Sequence, residues 1–178
     1  MAHGAAGVTA ALARLDGCAN DEAMRGAIEA GLDYEQSWYQ TETGNWPDLR
    51  HFAGEETGDR KPPVMSAWCH GAPGIGLARL EVATRVNSIR ARKEAAIALE
   101  TTARGIQAQL DKGTGNYSLC HGLAGNADIL LSASAILKRP DFRALAQRVG
   151  AAGWKRFGDH RPAWPNGLNG RGYTPNLM

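Results

Sequence analysis

The chain contains no apolar stretch near the roughly 20 residues that span a membrane. It also lacks a charged start followed by a short apolar signal core, so the cytoplasm is the default compartment. Charge of either sign is in short surplus: 20 Lys and Arg stand against 18 Asp and Glu, a net charge of +2. With basic residues this scattered, the balance argues against a nucleic-acid binder or a protein held on anionic membranes by charge. Arg90, Arg92 and Lys93 form the one close group and read as a solvated helix face. Cysteine is scarce, with only Cys18, Cys69 and Cys120. An odd number of dispersed cysteines excludes a disulfide framework and leaves metal binding or burial. Strand-like alternation is hardly present. No spaced carboxylate pair appears either, since Glu55-Glu56 and Asp21-Glu22 have no partner group, which disfavours a glycosidase-like mechanism.

What is present is a repeated phrase. His3-Gly4-Ala5-Ala6-Gly7, His70-Gly71-Ala72-Pro73-Gly74 and His121-Gly122-Leu123-Ala124-Gly125 share one pattern, and each is followed by an apolar helical run. The second and third copies are preceded by Cys69 and Cys120. Glycine after His lets the backbone pass close to a neighbour, and the second glycine lets the helix start pack tightly.

Six helices are predicted. The first runs from His3 and breaks at Asp16-Gly17. The second is capped by Asn20 or Asp21 and runs to about Tyr39, with Ala23, Met24, Ala27, Ile28 and Leu32 on one face. A polar loop from Thr41 to Pro63 follows. The third helix starts after His70, the fourth is capped at Asn87-Ser88 and reaches about Gln109, the fifth follows His121, and the sixth starts at Pro140-Asp141. The tail from Gly158 reads as loop. Helices opened by the phrase are small and apolar, which suits burial. Those between them are rich in Arg, Lys, Glu and Gln, which suits an outer layer. Units of about 50 to 70 residues that cannot bury their faces alone must stack, so the expected fold is all-α, an α/α toroid or barrel of helical hairpins.

The chemistry centres on Cys69, Cys120 and His121. Thiolate and imidazole are zinc's preferred ligands, and a catalytic zinc keeps three protein ligands and one open position. Spacing alone leaves two readings open, a metal site and buried free cysteines. Other candidates have structural readings: Trp68 as core, Cys18 as a small buried or loop residue, His51 and His160 as solvated loop residues. Asn45, Trp46, Pro47 and Asp48 read as a structural turn more than a substrate loop.

The segments Ser66-Ala67-Trp68-Cys69-His70-Gly71-Ala72-Pro73-Gly74-Ile75-Gly76 and Leu119-Cys120-His121-Gly122-Leu123-Ala124-Gly125-Asn126 resemble the two zinc-site motifs of lanthionine synthetase C-like cyclases. Gly44-Asn45-Trp46-Pro47-Asp48-Leu49-Arg50 resembles a loop in the cyclase region of type II, LanM-type bifunctional lantibiotic synthetases. Tyr173-Thr174-Pro175-Asn176-Leu177-Met178 is similar to the lead-in to that family's last Gly-rich helix. The resemblance implies Zn2+ held by Cys69, Cys120 and His121. It implies an enzyme that adds cysteine thiols of a ribosomally made precursor peptide to dehydroalanine or dehydrobutyrine, forming thioether rings. His3 matches the family's acid/base histidine, although by itself it reads as a frayed terminus. The resemblance makes His70 a second catalytic candidate; it stands where many single-domain cyclases have Tyr and the bifunctional type often has His, with pocket lining or replacement of an aromatic as the alternatives. A complete domain of this family has seven helix pairs. Residues 1–178 therefore read as a partial ring, truncated at both ends, without the upstream dehydratase domain that is the expected partner region of the full-length protein. Two further readings stay open: a non-catalytic zinc- and peptide-binding fragment, and a LanC-like protein adding glutathione to dehydroamino acids.

Overall fold

The computed structural model describes residues 4–49, 61–159 and Trp164. Among them are six helices: α1 (Gly4–Ala19), α2 (Glu22–Ser37), α3 (Gly71–Arg85), α4 (Ile89–Asp111), α5 (Leu123–Ile136) and α6 (Pro140–Phe157). No strand occurs among the described residues beyond isolated bridges such as Ala67 with His70. The expected all-α fold is what forms. Among the described residues, no helix is long and apolar enough to cross a membrane.

Three hairpins account for the order. Each closes through a residue at left-handed φ, Asn20 at 55°, Asn87 at 54° and Lys138 at 55°, so the repeat extends to the backbone of the turns. Local chemistry then starts the second helix of each pair. The Asp21 carboxylate accepts from the N–H groups of Ala23 and Met24, Ser88 Oγ accepts from Ala91, and Pro140 supplies a preset φ at the start of α6.

α3 packs on α1, α4 and α5, while α4 also packs on α5 and α6. The odd-numbered helices thus make one layer and the even-numbered ones the other. Burial follows composition: α3 buries ten of its 15 residues, whereas the longer α4 buries six along a single stripe. This is the arrangement of an arc of an α/α toroid.

Three expectations change. α1 does not break at Asp16-Gly17 but continues to Ala19. Asp16 is buried, and its carboxylate accepts from Asp21 N at 2.6 Å and Arg25 Nε at 3.0 Å, so the helix-breaking pair is held by the turn that follows. On α2, Ile28 and Leu32 are buried as expected, but Ala23 and Ala27 face solvent and Glu35 continues the buried stripe. Cys18 lies exposed on α1, neither buried nor in a loop.

Candidate metal centre

The site is built from the two loops that lead into α3 and α5. In the first, Ala67 and His70 exchange backbone hydrogen bonds of 3.1 and 3.0 Å, making a tight turn that carries Cys69. Asn45 fixes this turn from a distance. Its Oδ1 accepts from Ala72 N at 2.7 Å and Trp46 N at 2.8 Å, while Nδ2 donates to Met65 O and Ser66 Oγ. It supplies in trans the cap that His70, at the N-cap position of α3, does not make. Gly71 has φ +67°, and a Cβ there would lie 1.8 Å from the Met65 carbonyl oxygen. No other residue fits both constraints.

The second loop uses the same parts differently. Asn116 Oδ1 accepts from Ser118 N, Ser118 Oγ from His121 N, and Asn116 O from Leu123 N. Gly122 is extended at φ −129°, so its demand is space alone: a Cβ would meet Asn116 Oδ1 at 2.2 Å. A Cβ on Gly125 would lie 1.7 Å from Leu119 O. Two bonds then clamp the loops together. Trp68 N donates to Cys120 O at 3.0 Å, and Asn126 Nδ2 on α5 donates to Ser66 O at 3.1 Å.

The clamp brings three side chains to one point. Cys69 Sγ and Cys120 Sγ are 3.4 Å apart, and His121 Nε2 is 3.6 Å from the first and 4.0 Å from the second. Tetrahedral zinc, with bonds of about 2.3 Å to sulfur and about 2.0 Å to nitrogen, sets its ligand atoms about 3.8 Å (S–S) and about 3.5 Å (S–N) apart. The observed triangle fits that size. The other ring nitrogen, His121 Nδ1, is buried without a partner among the described residues. Cys69, Cys120 and His121 are thus a group that can hold a metal ion.

Beside it lies a cavity of about 220 Å3. Cys69 and His70 are on its wall, with Gly4, Ala5 and Ala6 at the start of α1 and Tyr34, Glu35 and Trp38 at the end of α2. His70 therefore faces the cavity and is not one of the three clustered groups. His3, His51, His160 and the segment Tyr173–Met178 lie outside the described residues, although Gly4, which follows His3, lines the cavity. Trp68 is half-buried against the cluster formed by α4, α5 and α6, the structural role expected of it.

Behind the cavity lies a feature that sequence patterning does not reveal. Arg79, fully buried in α3, binds the carboxylate of Glu35 on α2 through Nη1 and Glu94 on α4 through Nε at 2.6 Å. Glu94 is shared with Arg90, which also reaches Asp33. Burial raises the Glu35 pKa above its ordinary value and Arg79 opposes the rise, with burial the larger effect.

A family model described as lanthionine synthetase C-like protein matches residues 1–170. The match covers both clamped loops and all six helices, and the chain belongs to the lanthionine synthetase C-like family.

Proposed function

We propose that this chain is the zinc-bearing part of a lanthipeptide cyclase, joining cysteine thiols of a ribosomally made precursor peptide to dehydroalanine or dehydrobutyrine. The observation that carries the reading is the Cys69–Cys120–His121 triangle, of zinc's size, beside a cavity into which a peptide residue fits. Those three residues would hold the ion, which when bound makes the substrate thiol a thiolate at neutral pH. The chain's own groups account for the remainder. The cavity wall holds the peptide segment next to Cys69 and keeps water from the thiol. As the new C–S bond forms at the β-carbon of the dehydro residue, the displaced π pair moves to the α-carbon and its carbonyl as an enolate. That α-carbon then needs a proton. An imidazole titrating near neutrality is suited to take the thiol proton and return one to carbon. We assign that role to His3, adjoining the cavity-lining Gly4, and give His70 the pocket wall.

Residues 1–178 are read as part of one cyclase domain, with dehydration of the peptide supplied by a separate domain or protein. Three hairpins make only an arc, and α1 leaves Val8 61% and Leu15 57% exposed, apolar surface of the kind a further hairpin covers. The LanM-type loop motif and a cytoplasmic setting belong to the same proposal.

The test is incubation of zinc-loaded protein with dehydrated precursor peptide, counting free thiols by alkylation and mass spectrometry. Wild type is expected to consume thiols. Cys120→Ala is expected to lose both zinc and turnover, and His3→Ala to keep zinc and lose turnover. Zinc retention with an unchanged thiol number in wild type contradicts the enzyme and leaves a binding protein. Turnover of free glutathione but not of the peptide thiol moves the substrate assignment.

A further inference from the structure

The cavity beside the metal group differs in composition from the rest of the molecule. Aromatic residues make up 7% of the chain, yet Tyr34, Trp38 and Trp46 all line this one space. Tyr34 in the last turn of α2 and Trp38 at its C-cap are four residues apart and are 52% and 38% exposed, so they form its rim. Trp46 and Glu35 are 4% and 6% exposed and form its inner wall. A volume of about 220 Å3 is below the several hundred Å3 of a site for a drug-sized ligand, and suits one side chain.

Charge narrows the class. The charged residues lining the cavity, among those described, are acids: Glu35 and Asp48. Glu35 is bound to Arg79, and the network behind it sets two guanidinium groups, Arg79 and Arg90, against four carboxylates, Glu35, Glu94, Asp33 and Glu29, so the acids are in excess. A wall of aromatic faces around an acid with partly offset charge is the surface that attracts an ammonium or guanidinium group. Trp46 adds a second sign that the wall awaits a group from outside: its buried Nε1–H is a donor with no acceptor among the described residues, and a backbone carbonyl of a bound peptide, not the cation itself, would meet it. Cys69 lies on the same wall and belongs to the metal group, so whatever fills the cavity adjoins whatever reaches the metal.

We propose that this cavity is a side-chain subsite for a lysine or arginine flanking the reacting cysteine, with Tyr34, Trp38 and Trp46 embracing the aliphatic stem and Glu35 facing the cationic head. The inference rests on the reading of Cys69, Cys120 and His121 as a thiol-binding metal centre. It makes this cyclase selective for basic residues next to the ring-forming cysteine.

The test uses three fluorescent peptides with one cysteine and no dehydro residue, identical except that the residues flanking the cysteine are Lys, norleucine or Glu. Binding to the cobalt-loaded chain is followed by anisotropy, and thiol coordination by the cobalt–thiolate absorption. The Lys peptide is expected to bind at least about fivefold more tightly than the norleucine peptide, as a desolvated cation–aromatic contact allows, with the Glu peptide weakest. Trp38→Leu, a change at the exposed rim, and Glu35→Gln are each expected to bring the Lys preference below about twofold. Norleucine binding as tightly as Lys overturns the subsite, and so does a Lys preference that survives both substitutions. The cobalt spectrum separates the two readings. A band that responds equally to all three peptides, with equal anisotropy, sinks the subsite and keeps the thiol-binding centre. A band that responds to none sinks the thiol-binding centre, while the anisotropy ranking still decides whether the cavity selects a cation.

Discussion

A single methyl group tests how Cys69 is held. Adding one at Gly71 forces left-handed backbone on an ordinary residue and drives a Cβ to 1.8 Å from the Met65 carbonyl, where the neighbour is backbone and cannot swing away. Gly71→Ala is expected to cost at least about 2 kcal/mol, lowering the thermal midpoint by roughly 4–8 °C. Gly105→Ala, inside α4 with nothing within 4 Å, is expected to raise it slightly. Equal effects at the two positions, read by calorimetry, contradict the close-approach argument. The sequence shows a glycine after the histidine of each repeated phrase but not why. Gly71 needs a positive φ and Gly122 does not, because the loops before them reach their helices along different paths. Asn45 is the clearer loss in reading. As one of the four residues of a turn it looks ordinary, and its bonds to Ala72 and Met65 exist only once distant segments meet. Glu35 carries a pH signature. Its folded pKa is raised above 4.5, so the folded chain keeps a proton that the unfolded chain releases, and its contribution declines as pH rises through that window. Glu35→Gln removes the decline, so the stability of the variant relative to wild type is expected to increase as pH rises above the ordinary carboxylate value of 4.5 in urea titrations. A difference that does not change with pH contradicts the assignment.

At the scale of elements, the Arg79 network joins α2, α3 and α4 behind the cavity, and its burial decides its weight. Arg79→Met leaves the buried Glu35 carboxylate without its guanidinium, while Glu94 keeps Arg90, and is expected to cost about 3–5 kcal/mol in chemical denaturation. The exposed pair Arg14–Glu81, which joins α1 to α3 at 2.9 Å, is expected to lose less than about 1 kcal/mol on Arg14→Ala. The reverse order contradicts the burial argument. Helix existence and order were legible because periodicity and caps are local: Asp21 and Ser88 start α2 and α4 from within their own turns. Asp16-Gly17 was misread for the opposite reason. That pair looks like a stop until Asp21 and Arg25 fold back onto the buried carboxylate. Arg79 lay hidden in an apolar stretch because its partners are 44 and 15 residues away.

Across the whole molecule, the candidate site forms between hairpins. The α3 and α5 entry loops share the metal group, while α1, α2 and the Trp46–Leu49 segment complete the cavity. Cys69, Cys120 and His121 were readable as residues of metal-binding type, and the resemblance to a known family implies a role for them. Their convergence was not readable from spacing, because it depends on Trp68 bonding to Cys120 and Asn126 to Ser66 across the hairpin boundary. The account stands on one claim, that these three side chains hold one zinc ion. The direct measurement is metal content of purified protein by mass spectrometry, with circular dichroism confirming that each variant remains helical. About one zinc per chain is expected in wild type, and next to none in Cys69→Ala, Cys120→Ala and His121→Ala. Helical wild-type protein that binds no zinc even when it is supplied, or variants that retain the full amount, would contradict it.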